Sequence, residues 1–373
     1  MKRNIQNIVF LSLLAIIIAF FSLSYVFVEA KSFSEDENRV LQTAPRFTFE
    51  KLLDGTYTRQ LHDYCSDQIN LRGAMVSFKA ILELATGKCE SGGVLYGKDG
   101  YLIETHNYTE DNLSYLRKNL LKIDKLANKL TDGGVKVNES IIPRKVDVLT
   151  QYLPPYYSTQ RNELALALVA RDELFLVRAL TDAQRGGAEV FYKTDHHWTA
   201  EGAYVAYKAL GVHLGYTPHP ISHFELTSLT DTFHGTTYSS SGFFFVPTES
   251  ILCPTVSESR YTTTVADIGT SFGGILDRSY LEKKDKYSTF LSGNNAEVII
   301  RDNVNTDKET LLIVKDSFSH SLVPYLIEHY DIVLIDPRYY TGSIEEYVAE
   351  NGIENVLFLF GLDTLASANL IIR

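Results

Sequence analysis

The C-terminal third of the chain alternates between continuous apolar runs and helically patterned segments. The apolar runs TLLIVKDS, DIVLIDPRYY and NVLFLFG are separated by FSHSLVPYLIEHY and SIEEYVAENG. Continuous runs of this length predict buried strands, and the segments between them predict crossover helices that join parallel strands. The pattern therefore predicts an α/β fold, a three-layer sandwich with helices on both faces of a parallel sheet.

The same alternation begins near residue 110, and the flanking segments have other patterns. DNLSYLRKNLLKIDKLANKL and AEGAYVAYKALGVHL predict helices, whereas VKVNESIIP and EVFYKTDHHW predict strands. Residues 59–86 have helical spacing, and the glycine-rich turns of GGVLYGKDGYLIE predict a hairpin. Residues 215–295, rich in Ser, Thr, Gly and Phe, predict an irregular β-containing insertion within one domain that spans residues 59–373.

A positively charged N-terminus precedes an uninterrupted stretch of 21 mostly apolar residues, 8–28. This stretch is long enough to span a bilayer and longer than the apolar region of a usual signal peptide. We therefore predict that residues 1–30 are a retained signal-anchor, and cleavage after the VEA tripeptide is the alternative. Because Lys2 and Arg3 lie on the N-terminal side, the remainder is expected outside the cytoplasm, with residues 31–58 as a polar stalk.

Charge and cysteine content exclude two classes of function. The 373 residues carry a formal net charge of -11 and show no basic stripe, which excludes a nucleic-acid binder. The three cysteines, Cys65, Cys89 and Cys253, include no CxxC pair, which excludes a zinc–cysteine site. Outside the cytoplasm Cys65 and Cys89 could form a disulfide, but their spacing does not establish one.

The segment TDHHWTAEG places an acid, two histidines and the only tryptophan directly before a helix. Thr199 is the predicted N-cap of that helix. One interpretation of Asp195, His196 and His197 is a metal site, although HExxH spacing is absent and further ligands would be needed. A second is structural: a core histidine and a capping acid. A third is a general base with its orienting acid. In extended chain Asp195 and His197 share a side, and the carboxylate would leave one ring nitrogen free to take a proton.

A nucleophile for the third interpretation occurs at another strand end. In LLIVKDSFSHS, Ser317 follows a buried strand and precedes a helix, whose first N–H groups suit a developing oxyanion. Asp316 is expected to brace this turn, and Ser319 is expected to face solvent. An ordinary N-cap is the alternative role for Ser317. The two strand ends together favour a Ser–His–Asp triad.

These segments resemble the DHHW protein family of bacteria, which is similar to the SGNH-hydrolase-like domain of periplasmic alginate O-acetyltransferases. The resemblance covers nearly everything after residue 34. Besides TDHHWTAEGAYVAY, it is carried by SEDENRVLQTAPRFTFEKLLDG, GVLYGKDGYLIE, IIPRKVDVL, FHGTTYSSSG, DKYSTFLSGNN, VKDSFSHSLVPYLIEHYDIVLIDPRYY and NVLFLF. It implies an SGNH-hydrolase-like fold with circularly permuted motif order, in which Asp-x-His precedes the serine.

The resemblance makes Ser317 the nucleophile, His197 the base and Asp195 its orienting acid. It gives His196 no role in the triad. Lys315 stands where a typical SGNH serine block has glycine before Asp-Ser.

The remaining predicted site residues concern the oxyanion and the substrate. Besides the Ser317 amide, the oxyanion candidates are Gly235, Gly293 and Asn294, and ordinary turn positions are the alternative. The candidates for substrate binding are Arg338, Tyr339 and Trp198, and a structural salt bridge is the alternative for Arg338.

The resemblance implies an extracytoplasmic O-acetyltransferase that acts, through an acyl-enzyme, on hydroxyls of a cell-surface or secreted polysaccharide. The alternatives are a carbohydrate acetyl-esterase and a non-catalytic polysaccharide-binding or assembly protein. Acetyl-CoA is not available outside the cytoplasm, so the implied acetyl donor is a membrane-bound O-acyltransferase. No metal and no cofactor is expected. The expected location is the cell membrane, as a single-pass protein, or the exterior if the signal is cleaved.

Overall fold

The computed structural model describes residues 2–106, 108–169 and 174–373, which divide into two compact units. The first contains the residues up to Gly92 together with Ser239–Phe245, and the second contains Gly93–Tyr238 and Val246–Arg373. The predicted domain start at residue 59 therefore lies inside the first unit. All predicted site residues belong to the second unit.

The first unit is mainly helical. Its elements are α1 (Lys2–Phe27), β1 (Phe33–Ser34), β2 (Arg39–Val40), α2 (Phe49–Leu53), α3 (Thr56–Gln68), α4 (Arg72–Ala85) and β3 (Glu90–Ser91). Within α1, Ile5–Leu23 is long and apolar enough to cross a membrane, with a mean hydropathy of 2.3. The predicted N-terminal apolar helix is thus present. Cys65 and Cys89, like Cys253 of the second unit, are free thiols.

Part of the predicted stalk is folded against α3 and α4. Arg39 makes a bidentate ion pair with Asp67 of α3, at 2.6 and 3.0 Å, and Arg72 of α4 donates to Glu37 at 2.6 Å. The backbone N–H of Gln42 also donates to Asp67, at 2.8 Å. These ion pairs lie between distant positions in the chain, so the polar composition of residues 31–58 did not reveal them.

The remaining elements include both strands and helices. They are β4 (Val94–Tyr96), β5 (Leu102–Glu104), α5 (Glu110–Asp132), β6 (Lys136–Ile142), α6 (Lys145–Val148), α7 (Gln160–Leu166), α8 (Phe175–Arg185), α9 (Ala200–Leu214), β7 (Leu226–Phe233), α10 (Thr236–Ser241), β8 (Glu249–Pro254), β9 (Tyr261–Val265), β10 (Thr270–Gly273), β11 (Glu297–Asp302), β12 (Thr310–Lys315), α11 (Val323–Leu326), β13 (Asp331–Ile335), α12 (Ile344–Glu350), β14 (Asn355–Gly361) and α13 (Leu362–Ser367).

Among the described residues, seven strands form a mixed sheet in the order β10-β9-β11-β13-β12-β14-β6. The neighbours β13, β12, β14 and β6 pair in parallel, as the sequence predicts. The expectation of a parallel sheet is wrong for the other side, because β11 pairs antiparallel with β13 and β9, and β9 with β10. Strands β9 and β10 come from residues 215–295, so this segment is not simply an irregular insertion but completes one edge of the sheet.

Alternate side chains of the central strands pack into two separate cores. Leu311 and Ile313 of β12 pack in one core with residues of α8, α9 and α11. Leu312 and Val314 pack in the other with residues of α5, α12 and α13. Because both faces are buried, the strand sequence is almost entirely apolar. Polar side chains that follow these strands are therefore placed at the carboxyl ends, where open α/β sheets bind ligands.

Most elements predicted around the two motifs are confirmed. AEGAYVAYKALGVHL coincides with α9, NVLFLFG with β14 and VKVNESII with β6. The strand predicted for EVFYKTDHHW is wrong, because the chain bends over residues 193–197 and only an isolated bridge joins Phe191 to Trp198. The single helix predicted after Ser317 is divided into a 3-10 helix, Ser317–Ser321, and α11, which has Pro324 in its first turn.

Candidate active site

Asp316 fixes the turn that carries Ser317. Its Oδ1 accepts from the backbone N–H of Phe318 at 3.1 Å and caps the 3-10 helix that begins at Ser317. Its Oδ2 accepts from the backbone N–H of Gly361 at 2.7 Å and from the hydroxyl of Thr364 at 2.6 Å. The carboxylate thus ties the end of β12 to the end of β14 and to α13, in agreement with the bracing role expected for it.

The Asp195–His197 pair lies in the bend before α9. Thr199 caps α9 by accepting from the backbone N–H of Gly202, at 3.1 Å. Asp195 Oδ1 accepts from the backbone N–H of His197 at 2.9 Å and lies 2.5 Å from its Nδ1. The two side chains meet because the chain bends between them and the Asp195 carboxylate lies across this bend from His197. The extended conformation assumed from the sequence is absent here.

The structure brings the three predicted triad residues together. His197 Nε2 lies 2.8 Å from Ser317 Oγ, and Asp195 lies on the opposite side of the imidazole. Asp195 Oδ2 also accepts from the backbone N–H of Thr236, at 2.8 Å. An unbroken chain of hydrogen bonds therefore runs from a buried carboxylate through an imidazole to a half-buried hydroxyl.

The surroundings favour a charged acid and a neutral imidazole. Burial alone would raise the pKa of Asp195, but His196, His197 and the hydrogen bonds from His197 hold it well below its usual range. Burial lowers the pKa of His197, and neighbouring His196 lowers it further, against the opposing effect of Asp195. A neutral His197 has a lone pair on Nε2, which is what a general base requires.

Tyr287 packs flat on the imidazole of His197. The ring centroids are 3.9 Å apart and the planes differ by 10°. The Tyr287 hydroxyl lies 3.0 Å from Ser321 Oγ, which also accepts from Trp198 Nε1 at 2.9 Å. Tyr287 was not among the predicted site residues, because nothing in DKYSTFLSGNN indicates that its tyrosine reaches a histidine 90 positions away. Trp198 is completely buried, so its predicted contact with substrate is wrong.

Lys145 binds the backbone of the bend that carries Asp195, and it was not among the predicted site residues. Its buried Nζ donates to the backbone carbonyls of Leu102, Lys193 and Asp195, at 2.5, 3.2 and 3.0 Å. Burial lowers the pKa of Lys145 to about 8, although Glu249, Glu104 and Asp195 oppose the shift. Three donors on one buried ammonium therefore join the first residue of β5 to the segment that holds Asp195.

Lys315, the predicted departure from the SGNH serine block, lies in a buried polar network. Its Nζ donates to His320 Nε2 at 2.8 Å and lies 3.4 Å from Asp336 Oδ2. Asp336 also binds Arg338 in bidentate fashion, at 2.9 and 2.6 Å. Ser319 is buried and donates to the backbone carbonyl of Asp316, so the expectation that it faces solvent is wrong.

The predicted oxyanion residues have internal partners. The N–H of Gly235 donates to Thr194 Oγ1 and that of Gly293 to the carbonyl of Phe290, at 3.3 and 3.1 Å. Asn294 Oδ1 accepts from Arg338 Nη2 at 3.3 Å. Gly235 instead allows close packing, because an added Cβ would lie 2.2 Å from the carboxylate of Asp195. Neither glycine amide is thus offered to a substrate in this arrangement.

A cavity of about 360 Å³ opens at Ser317. It lies where β6, β12 and β14 end, and a volume of this size suits a small ligand or one end of a larger one. Arg338 lines it, whereas Tyr339 is exposed and lies beside the Arg338 guanidinium, 5.5 Å from ring centroid to Cζ. The lining residues are Glu104, His106, Ile142, Pro143, Arg144, Lys145, His196, Thr236, Ser317, Phe318, Arg338, Gly361, Leu362, Asp363, Thr364 and Ser367.

Two family models match overlapping parts of the chain. The model of the DHHW protein family matches residues 175–336, and the model of the SGNH hydrolase-like domain of acetyltransferase AlgX matches residues 94–238. The first match contains Asp195, His197 and Ser317. The predicted resemblance to the DHHW family is confirmed.

Curated relatives are similar at the sequence level over part of their length. A probable alginate O-acetylase AlgJ from Pseudomonas fluorescens is 26% identical over 168 residues, which is 43% of this chain and 43% of that protein. A protein of the same name from Pseudomonas syringae pv. tomato is 26% identical over 174 residues, with the same coverage. The chain thus matches less than half the length of these relatives.

Solved structures share the fold. A DHHW family protein from Eubacterium siraeum superimposes with a TM-score of 0.57 and 23% identity, covering 75% of this chain and 94% of that one. Bacillus cereus PatB1, solved with a sulfonyl adduct, gives a TM-score of 0.59 and 18% identity, covering 75% and 97%. At these identities the likeness concerns the fold.

The hydrogen bonds at Asp195 and His197 predict that these residues do not bind a metal ion. Asp195, His196 and His197 could converge on an ion, but both ring nitrogens of His197 and both oxygens of Asp195 already have protein partners. We expect a chelator to leave the unfolding temperature unchanged and elemental analysis to find no stoichiometric zinc. A zinc titration that raises the unfolding temperature and saturates at one ion per chain would contradict this.

Proposed function

We propose that the protein is an extracytoplasmic O-acetyltransferase that acts on hydroxyl groups of a cell-surface or secreted polysaccharide. The observation that carries the proposal is the hydrogen-bond chain from Asp195 through His197 to Ser317, which ends in the cavity. Resemblance to the AlgX domain and to the AlgJ proteins supports acetyl transfer as the reaction class.

The reaction would proceed in two steps. His197 Nε2 takes the proton of Ser317 as Oγ attacks the acetyl carbonyl of the donor ester, and the proton then passes to the leaving alcohol. The acetyl group is now on Ser317. In the second step His197 deprotonates an acceptor hydroxyl, which attacks the acetyl-serine, and the proton returns to Ser317. Asp195 holds the ring orientation and stabilises the imidazolium that forms in each step.

A carbohydrate acetyl-esterase is the alternative, because water in place of the sugar hydroxyl gives hydrolysis with the same residues. The two functions predict opposite phenotypes in the producing cell. Loss of Ser317 would lower acetylation of the polymer if the protein is a transferase and raise it if the protein is an esterase.

We propose that the protein lies on the outer side of a membrane and that α1 anchors it there. The apolar stretch Ile5–Leu23 and the N-terminal position of Lys2 and Arg3 support this orientation. Outside the cytoplasm the donor must come through the membrane, so we propose a membrane-bound O-acyltransferase as the partner. The circularly permuted SGNH arrangement is part of the proposal, because the Asp-x-His motif precedes Ser317 in the chain.

We expect Ser317→Ala to lower hydrolysis of p-nitrophenyl acetate by several powers of ten, because it removes the nucleophile. A sulfonyl fluoride should add one sulfonyl group to Ser317 of the native protein, identified by peptide mass spectrometry; PatB1 with its sulfonyl adduct motivates this probe.

Ser319→Ala is the matched control. Ser319 lies two residues away and is also hydrogen-bonded, but its hydroxyl donates to the backbone carbonyl of Asp316, whereas the hydroxyl beside His197 is that of Ser317. Both variants should unfold at temperatures within a few degrees of the native protein. Native turnover in Ser317→Ala, or sulfonylation at another serine, would refute the mechanism.

We expect His196→Gln to move the acid limb of the pH profile of kcat/KM to higher pH. Neighbouring His196 lowers the pKa of His197, so its removal raises that pKa, and His197 then loses its proton only at higher pH. His223→Gln, at an exposed histidine elsewhere in the second unit, is the control and should not move the limb. An unchanged limb in His196→Gln would show that the two imidazoles are not coupled.

We expect Tyr287→Leu to lower kcat/KM by about tenfold and to move the same acid limb to lower pH. The aromatic face stabilises the imidazolium form of His197, so its loss lowers the pKa of that ring. Tyr287→Phe keeps the stacked ring and loses only the hydroxyl, and it should retain both the rate and the pH profile within about threefold. If Phe and Leu behave alike, the stacking has no role in the reaction.

A further inference from the structure

A second His–Asp pair lines the cavity that contains Ser317. His106 Nδ1 lies 3.0 Å from Asp363 Oδ1, and the hydroxyl of Tyr108 donates to the same oxygen. Glu104 completes the group, because potential ligand atoms of Glu104, His106 and Asp363 all lie within 4.8 Å of one another. None of the three has a part in the proposed triad.

The fold places this cluster at the same end of the sheet as Ser317. Asp363 is the second residue of α13, which directly follows β14, and β14 is the parallel neighbour of β12. Glu104 is the last residue of β5, and His106 follows two residues later. The cluster and the proposed nucleophile therefore face one cavity although they are up to 213 positions apart.

Asp363 remains open to a ligand. Its side chain is 40% exposed, whereas that of His106 is 11% exposed. His106 and Tyr108 both contact Oδ1 of Asp363, so neither of these two contacts occupies Oδ2. A carboxylate oxygen next to an imidazole accepts hydrogen bonds from hydroxyl groups, which is how proteins orient polar ligands in a pocket.

The charges around the cavity favour an uncharged ligand. The Arg144 guanidinium is paired with Asp147 at 2.7 and 2.8 Å, and that of Arg338 is paired with Asp336. The ammonium of Lys145 donates to three backbone carbonyls. These cations already have internal partners, so a carboxylate on the ligand would have to share a cation that is already paired, and it would lie close to the carboxylates of Glu104 and Asp363.

A bound metal ion fits the cluster less well than a sugar. An ion would have to displace the hydrogen bonds that His106 and Tyr108 make with Asp363. Hydroxyl groups require no such displacement.

We propose that Glu104, His106 and Asp363 form an acceptor subsite that binds the hydroxyl groups of an uncharged sugar residue. This inference rests on the proposed function, because it assigns the sugar as the acceptor for the acetyl group on Ser317. The subsite would orient one hydroxyl toward the acetyl-serine and thereby favour transfer over attack by water.

The test compares acceptors and variants of the full-length protein in detergent. The donor is p-nitrophenyl acetate, and the acceptors are cellotetraose, which is neutral, and tetragalacturonate, which carries a carboxylate on each ring. We expect cellotetraose to be acetylated at least tenfold more efficiently than tetragalacturonate. Mass spectrometry of the tetrasaccharides and release of p-nitrophenol give the ratio of transfer to total turnover.

Asp363→Asn should lower that ratio about tenfold, because one charge-assisted hydrogen bond is lost. Asp111→Asn, at an exposed position of α5, is the control and should leave the ratio unchanged. Since Asp363 also binds Tyr108, His106→Gln serves as a second variant with the same expected direction. A ratio unaffected in both variants, or a preference for tetragalacturonate, would overturn the subsite.

Calorimetry separates failure of the subsite from failure of the proposed function. Cellotetraose should bind to the Ser317→Ala protein, which has no nucleophile, and binding should weaken about tenfold when Asp363→Asn is added. Binding of this kind without any acetyl transfer by the native protein would refute the proposed function and support the subsite. Transfer without such binding would support the function and refute the subsite.

Discussion

The buried carboxylate of Asp195 organises the bend at residues 193–197, which has no regular secondary structure. One oxygen accepts from the backbone and the ring of His197, and the other accepts from the backbone of Thr236. From the opposite side, the Lys145 ammonium binds the carbonyl of Asp195. A buried carboxylate is costly unless it is fully hydrogen-bonded, so these contacts define one arrangement of the bend.

A second buried carboxylate, that of Asp316, holds the turn at the end of β12 through hydrogen bonds. It joins the Ser317 turn to the end of β14 and to α13, the helix that carries Asp363. Ser321, the last residue of the 3-10 helix that begins at Ser317, links this helix to the surroundings of His197. Its hydroxyl contacts both Trp198, next to the proposed base, and Tyr287, which packs on that base. The relative positions of Ser317 and His197 are therefore held by polar contacts with defined geometry and by aromatic packing.

The two parts of the cavity have different charge environments. Near Ser317, the imidazole of His197 is kept neutral by burial, which suits proton transfer. Near Asp363, the carboxylate raises the pKa of His106 against the effect of burial, so this pair favours the charged form. The cavity thus contains the Ser317 hydroxyl, which is hydrogen-bonded to the proposed proton acceptor, together with the His106–Asp363 pair, and the nearby Arg338 guanidinium is paired with Asp336.

The sequence by itself determined the central strands and the proposed triad. Continuous apolar runs reveal strands buried on both faces, and polar residues directly after them mark the ligand-binding edge of a parallel sheet. Ser317 was found in this way, whereas Asp195 and His197 were found from the motif TDHHW before a predicted helix, since the strand predicted there is absent. The antiparallel edge formed by β9, β10 and β11 was not found, since strand direction depends on how the connecting chain returns and not on local hydrophobicity.

Only the tertiary structure decided which distant residues complete the site. Tyr287 stacks on His197, Lys145 supports the bend, and His106 meets Asp363 across most of the chain length. Trp198 and Ser319 are both buried, contrary to the substrate contact and the solvent exposure predicted for them, since exposure depends on what packs against a residue. Local patterns report periodicity and turns within a few positions, whereas these contacts arise from elements that the sheet brings together.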